Sequence, residues 1–186
     1  MVHFPLFMAF NYPCQAALGK VLHKFYEKGF TTITDEATGE KTELSYADET
    51  RRMMMENRDW LYNELKKIDV PWEPIMSEGG YFLLLNITKV VPMIPEKYFQ
   101  THDYEDPESG APVGKYRFQM PDGRIANDQA CARWLAVEYG VVTMPVCFFY
   151  PLDAKEKSDC FLRMGICKTR ENIQAVVQRM KKIAEK

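Results

Sequence analysis

The sequence predicts an α/β fold, more closely an α+β sandwich in which helices pack on a small mixed sheet. Two observations lead to this prediction. Four segments with apolar residues at every third or fourth position indicate helices, and short apolar runs between them indicate strands. A hydrophobic content of 46% over 186 residues is enough for the packed core of one domain or slightly more.

Two helices are predicted in the first third of the chain. The first covers about 13–28, where Pro13 suits the first helical position and Gly29 suits the stop. The second is a long helix over about 45–68, for which Ser45 is the predicted N-cap. Its apolar positions recur every three or four residues, so one face of this helix is expected to be buried.

Two segments are predicted to lack regular structure. Residues 30–42 are polar and turn-like, and residues 88–124 are rich in proline, glycine and acidic side chains. A connection as long as the second one is usually an insertion or a lid. Its acidic cluster is expected to be a solvated surface.

The second half of the chain mixes strands with helices. A strand with both faces buried is predicted at 79–87, "GGYFLLLNI", which is entered through two glycines. A helix over about 128–139 follows, with Asn127 or Asp128 as its N-cap and a glycine just after its end. The last helix is predicted over about 170–184, with one apolar stripe and basic residues in its final turns.

One charged residue interrupts the predicted strand at 160–167, "CFLRMGIC". Because alternate side chains point to opposite faces of a strand, Arg163 should share one face with Phe161 and Gly165. The other face then carries Leu162, Met164 and Ile166. A guanidinium in such an apolar strand costs several kcal/mol unless something anionic meets it. Either an aspartate or glutamate from elsewhere in the chain pairs with Arg163, or the partner is a ligand.

Composition argues against several classes of function. The net charge is −2, from 24 basic and 26 acidic residues that are intermixed, so neither nucleic-acid binding nor a polybasic membrane surface is predicted. There is no run of about 18 apolar residues, so no membrane span is predicted. The three histidines His3, His23 and His102 are far apart, and no metal site is predicted. Five cysteines at scattered spacings indicate reduced thiols in a reducing compartment.

Four stretches of the sequence occur together in a known family. They are "FNYPCQAAL" (10–18), "GGYFLLLNI" (79–87), "YGVVTMPVCFFY" (139–150) and "FLRMGICK" (161–168). In this order and at this spacing they resemble the C-terminal half of fold-type-I, pyridoxal-phosphate-dependent aminotransferases. The branch that they resemble most is kynurenine aminotransferase, also called cysteine-conjugate β-lyase or glutamine transaminase K. The resemblance covers nearly the whole chain.

The resemblance implies a division of the chain and two substrate-binding residues. Residues 1–42 would be the end of the large cofactor-binding domain and the interdomain segment. Residues 43–186 would be the small C-terminal domain, with a long loop insertion at about 88–124. Arg163 falls on the family's arginine for the substrate α-carboxylate, and Phe10 matches an aromatic residue that projects toward the substrate pocket of the partner subunit of a homodimer. A guanidinium suits this role because its two parallel N–H donors match a planar carboxylate.

The resemblance also implies what this sequence lacks. The family's Schiff-base lysine, phosphate ligands, pyridinium-binding aspartate and ring-stacking aromatic residue all lie upstream of the matching region. Lysines such as Lys20, Lys24 and Lys89 are not in the required context, so no catalytic or cofactor-binding residue is assigned. Pro145 and Phe149 are expected to be scaffold. Pyridoxal phosphate is expected to bind only with an N-terminal half, supplied in trans or present before truncation of a longer protein.

Two functions therefore remain open at the level of the sequence. In the first, the chain is the C-terminal portion of an aminotransferase that moves an amino group from an aromatic or sulfur-containing amino acid to a 2-oxo acid. In the second, it is a non-catalytic structural or assembly protein derived from such a domain, with self-association through its apolar N-terminus. The cytoplasm and the mitochondrial matrix are the expected compartments.

Overall fold

A computed structural model describes residues 12–100, 120, 122 and 124–185, with the backbone alone at residues 12–15 and 152. The chain divides into two compact units, Met1–Met55 and Glu56–Lys186. The first described element of the first unit is helix α1 (Tyr12–Val21), which continues as a 3-10 turn at Leu22–Phe25. The first predicted helix is therefore confirmed, although its last turns are tighter and shorter than predicted.

The predicted turn region at 30–42 contains a β-hairpin instead, so that prediction was wrong. Strands β1 (Thr31–Thr34) and β2 (Lys41–Leu44) pair antiparallel. The connection is closed by Asp35, whose Oδ1 accepts hydrogen bonds from two backbone amides, and by Gly39 at φ 73°. Threonine favours strands because its branched β-carbon fits a pleated surface. The sequence did not predict these strands, because the segment is mostly polar and lacks an apolar alternation.

Helix α2 (Tyr46–Lys67) confirms the long helix predicted at 45–68. Ser45 is its cap, since the Ser45 Oγ accepts a hydrogen bond from the Asp48 amide at 3.1 Å and donates one to the Asp48 carboxylate at 2.7 Å. Leu61 and Leu65 form its buried stripe. These two leucines lie four residues apart, which places them on one face of the helix.

The second unit is built on a four-stranded sheet in the order β3-β4-β6-β5. Its strands are β3 (Glu73–Ile75), β4 (Phe82–Asn86), β5 (Met144–Pro145) and β6 (Phe161–Gly165). All three pairings between these described strands are antiparallel. The predicted fold class, helices with a small sheet, is confirmed, but this sheet is antiparallel and not mixed. The two central strands, β4 and β6, lie side by side and run in opposite directions.

The two central strands bury one face each. Leu83 and Leu85 of β4 and Leu162 of β6 have no exposed surface, while their neighbours Phe82 and Leu84 are half-buried. The prediction that both faces of β4 are buried was therefore wrong. The alternation predicted for β6 is confirmed, because Leu162, Met164 and Ile166 are buried and Phe161, Arg163 and Gly165 are half-buried. The half-buried side of the sheet is called the open face below.

Helices α3 (Asn127–Tyr139) and α4 (Arg170–Lys181) complete the second unit. The predicted glycine stop of α3 is confirmed at Gly140, which has φ 64° and donates to the Ala136 carbonyl while Val141 donates to the Leu135 carbonyl. The bond from the Gly140 amide to the Ala136 carbonyl is that of an αL cap, which needs a left-handed residue, and glycine adopts this conformation without strain. The predicted cap was wrong. Ala126 holds the N-cap position and no side chain caps the helix.

The loop after β6 is held to helix α2 by one buried side chain. Asn57 is 2% exposed, and its Nδ2 donates to the carbonyls of Ile166 at 3.1 Å and Lys168 at 2.8 Å. Removing this side chain would leave two carbonyl groups without their partner in a region that water reaches poorly. The Asn57 side chain therefore fixes the backbone where the chain leaves β6, the strand that carries Arg163.

We expect Asn57→Ala to lower the free energy of unfolding by about 1–3 kcal/mol. The matched control is Asn63→Ala on the exposed surface of the same helix, with an expected change within about 0.5 kcal/mol. Urea unfolding followed by tryptophan fluorescence measures both changes. All three tryptophans, Trp60, Trp72 and Trp134, lie in the second unit, so the signal reports on that unit. Equal losses in the two variants would contradict the anchoring role.

Candidate carboxylate-binding site

Arg163 lies in the middle of the open face of the sheet. In the antiparallel register it stands opposite Leu84 on β4 and opposite Met144 on β5. Strands on both sides therefore fix its backbone by hydrogen bonding, and its side chain is half-buried. The position is rigid and central, unlike that of an arginine on a surface loop.

Two aromatic rings contact the guanidinium. The Arg163 Cζ lies 3.8 Å from the ring centroid of Phe82 and 4.4 Å from that of Phe149. The Phe82 ring in turn packs on Tyr81, with centroids 4.4 Å apart and planes tilted by 44°. A cation over an aromatic face is attracted by the ring quadrupole, by about 0.5–2 kcal/mol depending on desolvation. These contacts hold the cation without neutralising it.

No described carboxylate neutralises Arg163. Arg163 takes part in none of the ion pairs found among described residues. No described group accepts a hydrogen bond from its guanidinium. Its N–H edge therefore remains available to a planar oxyanion, which could bind with two parallel hydrogen bonds. Of the two partners that the sequence left open, an acidic side chain is not found among the described residues.

The sequence interpretation missed both rings of this site, those of Phe82 and Phe149. Phe149, expected to be scaffold, is 57% exposed with its ring over Arg163. The sequence held no local signal for either ring, because both reach the arginine through the pairing of separate strands. Phe10, the second predicted substrate-binding residue, lies outside the described residues. The role of Arg163 as a substrate ligand stays a prediction.

A separate buried polar group lies at the start of α3. Asp128 is fully buried, and its Oδ2 accepts a hydrogen bond from the Cys147 amide at 2.8 Å. Burial raises the pKa of the Asp128 carboxyl, against the lowering effect of that amide. Burial likewise raises the pKa of the Cys131 thiol to about 12 and raises the pKa of Cys147. Both thiols are therefore protonated at neutral pH and are poor nucleophiles.

The raised pKa of Asp128 makes the stability of the folded state depend on pH. The carboxyl of Asp128 binds its proton more tightly in the folded state than in the unfolded chain, where its pKa is about 4. The stability that this carboxyl contributes is therefore present below pH 4 and is lost as pH rises through the raised pKa of the folded state. We expect Asp128→Asn, which keeps an acceptor for the Cys147 amide, to stabilise the second unit more at pH 7 than at pH 4.5. Urea unfolding at the two pH values measures this difference. A gain that is equal at both values, or larger at pH 4.5, would contradict the assignment.

A groove of about 410 Å³ is bordered by helices α2 and α4 and by the end of β6. Its lining includes Leu61 of α2, Gly165 of β6, Gly140 and Arg179 of α4. Arg179 Nη1 donates to the Gly140 carbonyl at 2.6 Å, so this side chain serves the end of α3. Arg163 is not among the residues that line the groove.

In the described part of the chain, no group of three histidine, cysteine, aspartate or glutamate side chains is placed to hold a metal ion. None of the described helices has the length and apolar character needed to cross a bilayer. The four cysteines with described side chains are free thiols. The candidate site thus consists of Arg163 and its aromatic neighbours.

Comparison with known proteins identifies the family. Residues 26–180 match the sequence model of "Aminotransferase class I and II", which covers most of the chain and includes the whole arginine site. The chain belongs to this aminotransferase family. The resemblance inferred from the four sequence stretches is confirmed at the level of the family.

Two curated relatives of this aminotransferase chain were found. A Saccharomyces cerevisiae protein named Probable kynurenine–oxoglutarate transaminase BNA3 is 34% identical over 104 residues, which is 56% of this chain and 19% of the relative. The Kynurenine–oxoglutarate transaminase of Dictyostelium discoideum is 25% identical over 156 residues, 82% of this chain and 32% of the relative. The chain thus matches about a third or less of the length of either protein.

Solved aminotransferase structures also resemble the chain. The crystal structure of Bna3p from Saccharomyces cerevisiae has a TM-score of 0.48 at 24% identity, over 75% of this chain and 28% of that one. YbdL from Escherichia coli, for which a methionine aminotransferase function is described, has a TM-score of 0.42 at 21% identity, over 74% and 25% of the two chains.

Complete aminotransferases of this family depend on pyridoxal phosphate, which needs a Schiff-base lysine and ligands for its phosphate. Lys89 Nζ is paired with the Glu73 carboxylate at 2.6 Å, and Lys20 and Lys24 are exposed on the first unit. The groups described around Arg163 are aromatic rings and apolar strand neighbours. They suit the binding of a carboxylate but supply neither a Schiff-base lysine nor ligands for a phosphate. By themselves they do not fit the cofactor.

Proposed function

We propose that this chain supplies the substrate-carboxylate arginine of a pyridoxal-phosphate-dependent aminotransferase. The reaction moves an amino group from an aromatic or sulfur-containing amino acid to a 2-oxo acid. The observation that carries the proposal is Arg163, a rigid, half-buried guanidinium with two rings against it and no described acidic partner. The kynurenine transaminases among its relatives support this substrate class.

One arginine can serve both halves of such a reaction. The amino acid and the 2-oxo acid both carry a planar carboxylate next to the reacting carbon, and both must be held in the same orientation. A bidentate pair fixes two atoms of that carboxylate and so fixes the direction of the bond to the reacting carbon. Half-burial strengthens the pair, because fewer water molecules compete for the N–H donors.

The rest of the active site must come from other polypeptide. We assign the Schiff-base lysine, the phosphate ligands and the pyridinium-binding aspartate to an N-terminal half that acts together with this chain. Phe10 would add an aromatic contact to the pocket of a second copy in a homodimer. Residues 1–42 would then belong to the end of the large domain and residues 43–186 to the small one. The cytoplasm and the mitochondrial matrix are the proposed compartments.

A second candidate is a non-catalytic assembly protein derived from such a domain. The observation that favours it is that the described residues hold no complete cofactor site around Arg163. Exposed aromatic residues beside this arginine, Tyr81 at 50% and Phe149 at 57%, would then contact a protein and not a substrate. In this case an acidic side chain of the partner would neutralise the guanidinium.

Native mass spectrometry of the chain, isolated from its own source without denaturation, tests the proposal. The expected result is a complex with a second polypeptide that carries the cofactor lysine, together with a mass equal to that of bound pyridoxal phosphate. Transaminase activity of that complex with kynurenine and 2-oxoglutarate is the second readout. A bare chain or bare homo-oligomer without transaminase activity would overturn the proposal and leave the assembly protein as the better description.

A further inference from the structure

We infer that Phe82 and Phe149 are positioning residues that make Arg163 selective for planar carboxylates over tetrahedral oxyanions. This inference rests on the proposed function, because it concerns the same arginine. The two rings come from different elements, Phe82 from β4 and Phe149 from the 3-10 turn that follows β5. The set of the two rings and the guanidinium is called the aromatic bracket.

The sheet itself positions the first ring of the bracket. Phe82 stands opposite Gly165 in the antiparallel register, and Arg163 stands opposite Leu84. Phe82 and Arg163 are thus diagonal neighbours on one face, which long side chains can bridge. Gly165 presents no side chain there, and even a β-carbon built on it would have no neighbour within 4 Å. The guanidinium therefore reaches the Phe82 ring across an open space.

The second ring completes the bracket from the far side of β6. β5 lies on the opposite side of β6 from β4, and Phe149 follows four residues after the end of β5. Its ring centroid lies 4.4 Å from the Arg163 Cζ. Tyr81 packs on the Phe82 ring and limits its movement. Both rings lie close to the Arg163 Cζ and so occupy space beside the guanidinium, whose N–H groups have no described acceptor.

The consequence for specificity follows from the shapes of the anions. A carboxylate is flat, so its two oxygens can meet the open edge while the rest of the group stays in the guanidinium plane. A sulfonate has a third oxygen that must leave this plane and enter the space beside the guanidinium, part of which the two rings occupy. That oxygen loses its water and gains no donor there, which costs free energy. The bracket therefore discriminates by shape and not by charge, because carboxylate and sulfonate can carry the same charge.

A titration of the 186-residue chain with two matched probes tests this inference. The probes are 3-phenylpropionate and 2-phenylethanesulfonate, which differ only in the anionic group. The Nε–H resonance of Arg163, identified by its absence from Arg163→Lys, reports binding of each probe. We expect the wild-type chain to bind the carboxylate about fivefold or more tightly than the sulfonate. Phe149→Leu keeps apolar bulk but removes the ring face, and we expect it to lower this ratio about three- to tenfold.

Two further variants separate positioning from general damage. Phe149→Tyr keeps the ring and should retain the wild-type ratio. Tyr150→Leu removes an exposed aromatic residue next in sequence, for which the described structure gives no contact with Arg163, and should also retain it. Because Phe149 is mostly exposed, its substitution should leave the unfolding midpoint of the chain unchanged.

The outcomes distinguish this inference from the proposed function. If Phe149→Leu and Phe82→Leu both keep the wild-type ratio while Arg163→Lys loses carboxylate binding, the bracket is overturned and the carboxylate role of Arg163 stands. If the wild-type chain gives no saturable shift with either probe, the bracket is overturned as well. The proposed function is judged separately by the mass and activity of the native complex.

Discussion

Replacing Arg163 with alanine is expected to lower kcat/KM of the assembled aminotransferase by about 10²–10³-fold, or about 3–4 kcal/mol of transition-state stabilisation. If Arg163 binds the substrate carboxylate as proposed, the variant loses two charge-assisted hydrogen bonds to it, each worth about 1.5–3 kcal/mol. KM should rise strongly, because the carboxylate is present in the ground state as well as in the transition state. Steady-state kinetics with kynurenine and 2-oxoglutarate measures both constants.

Two companion variants sharpen this test. Arg163→Lys keeps the positive charge but loses the planar pair of donors, so it should recover only part of the lost kcat/KM. Arg170→Lys is the matched control. Arg170 also contacts an aromatic ring, that of Trp60 at 5.3 Å, but at the start of α4 and not on the open face. Its kcat/KM should stay near that of the wild type. An unchanged kcat/KM in Arg163→Ala would remove Arg163 from the substrate site.

The orientation of Arg163 could be predicted from the sequence because a strand has a period of two. Once β6 is recognised, the burial of Leu162 and Met164 places the arginine on the opposite face, and the structure confirms this. The caps at Ser45 and Gly140 were predictable for a similar reason. Each depends on the chemistry of one side chain, or on its absence, at a helix end.

The aromatic bracket could not be predicted in the same way. Phe82, Phe149 and Arg163 lie on three separate segments, and their meeting depends on the strand order β4-β6-β5. No local pattern in the sequence predicts which of the many aromatic residues will contact this arginine. The β1–β2 hairpin was missed for a different reason, since a two-stranded pair of mostly exposed threonines lacks the apolar alternation that indicates a strand.

The capping of α3 shows how tertiary structure overrides a local preference. Asp128 is a favourable N-cap residue by composition, but its carboxylate instead binds the Cys147 amide, 19 residues further along the chain. The helix begins at Asn127, two residues before the start at Gln129 that such a cap requires. This aspartate provides a buried acceptor for the backbone amide of Cys147, in the turn after β5. The sequence could not predict this role, because Asp128 and Cys147 come together only in the folded chain.

The largest effect on stability is expected from Leu162→Ala. Leu162 has no exposed surface, and it pairs with Leu85 on β4 and with Pro145 on β5 at the centre of the sheet. Truncation removes three buried carbon atoms and leaves a cavity that flanking strands cannot close. We expect a loss of about 2–5 kcal/mol in the free energy of unfolding, measured by urea unfolding with tryptophan fluorescence. Because Arg163 is the next residue, the loss should also weaken carboxylate binding by the folded chain.

Leu84→Ala is the control for this prediction, because it is the same truncation on the neighbouring strand but on the open face. Leu84 is only half-buried, so less apolar surface is lost and little cavity forms. Its expected cost is about half of that for Leu162→Ala or less. If the two variants lost the same stability, the open face would be as well packed as the core. Arg163 would then lie in a closed interior in which no substrate could reach its N–H edge, and the proposed function would fail together with the prediction.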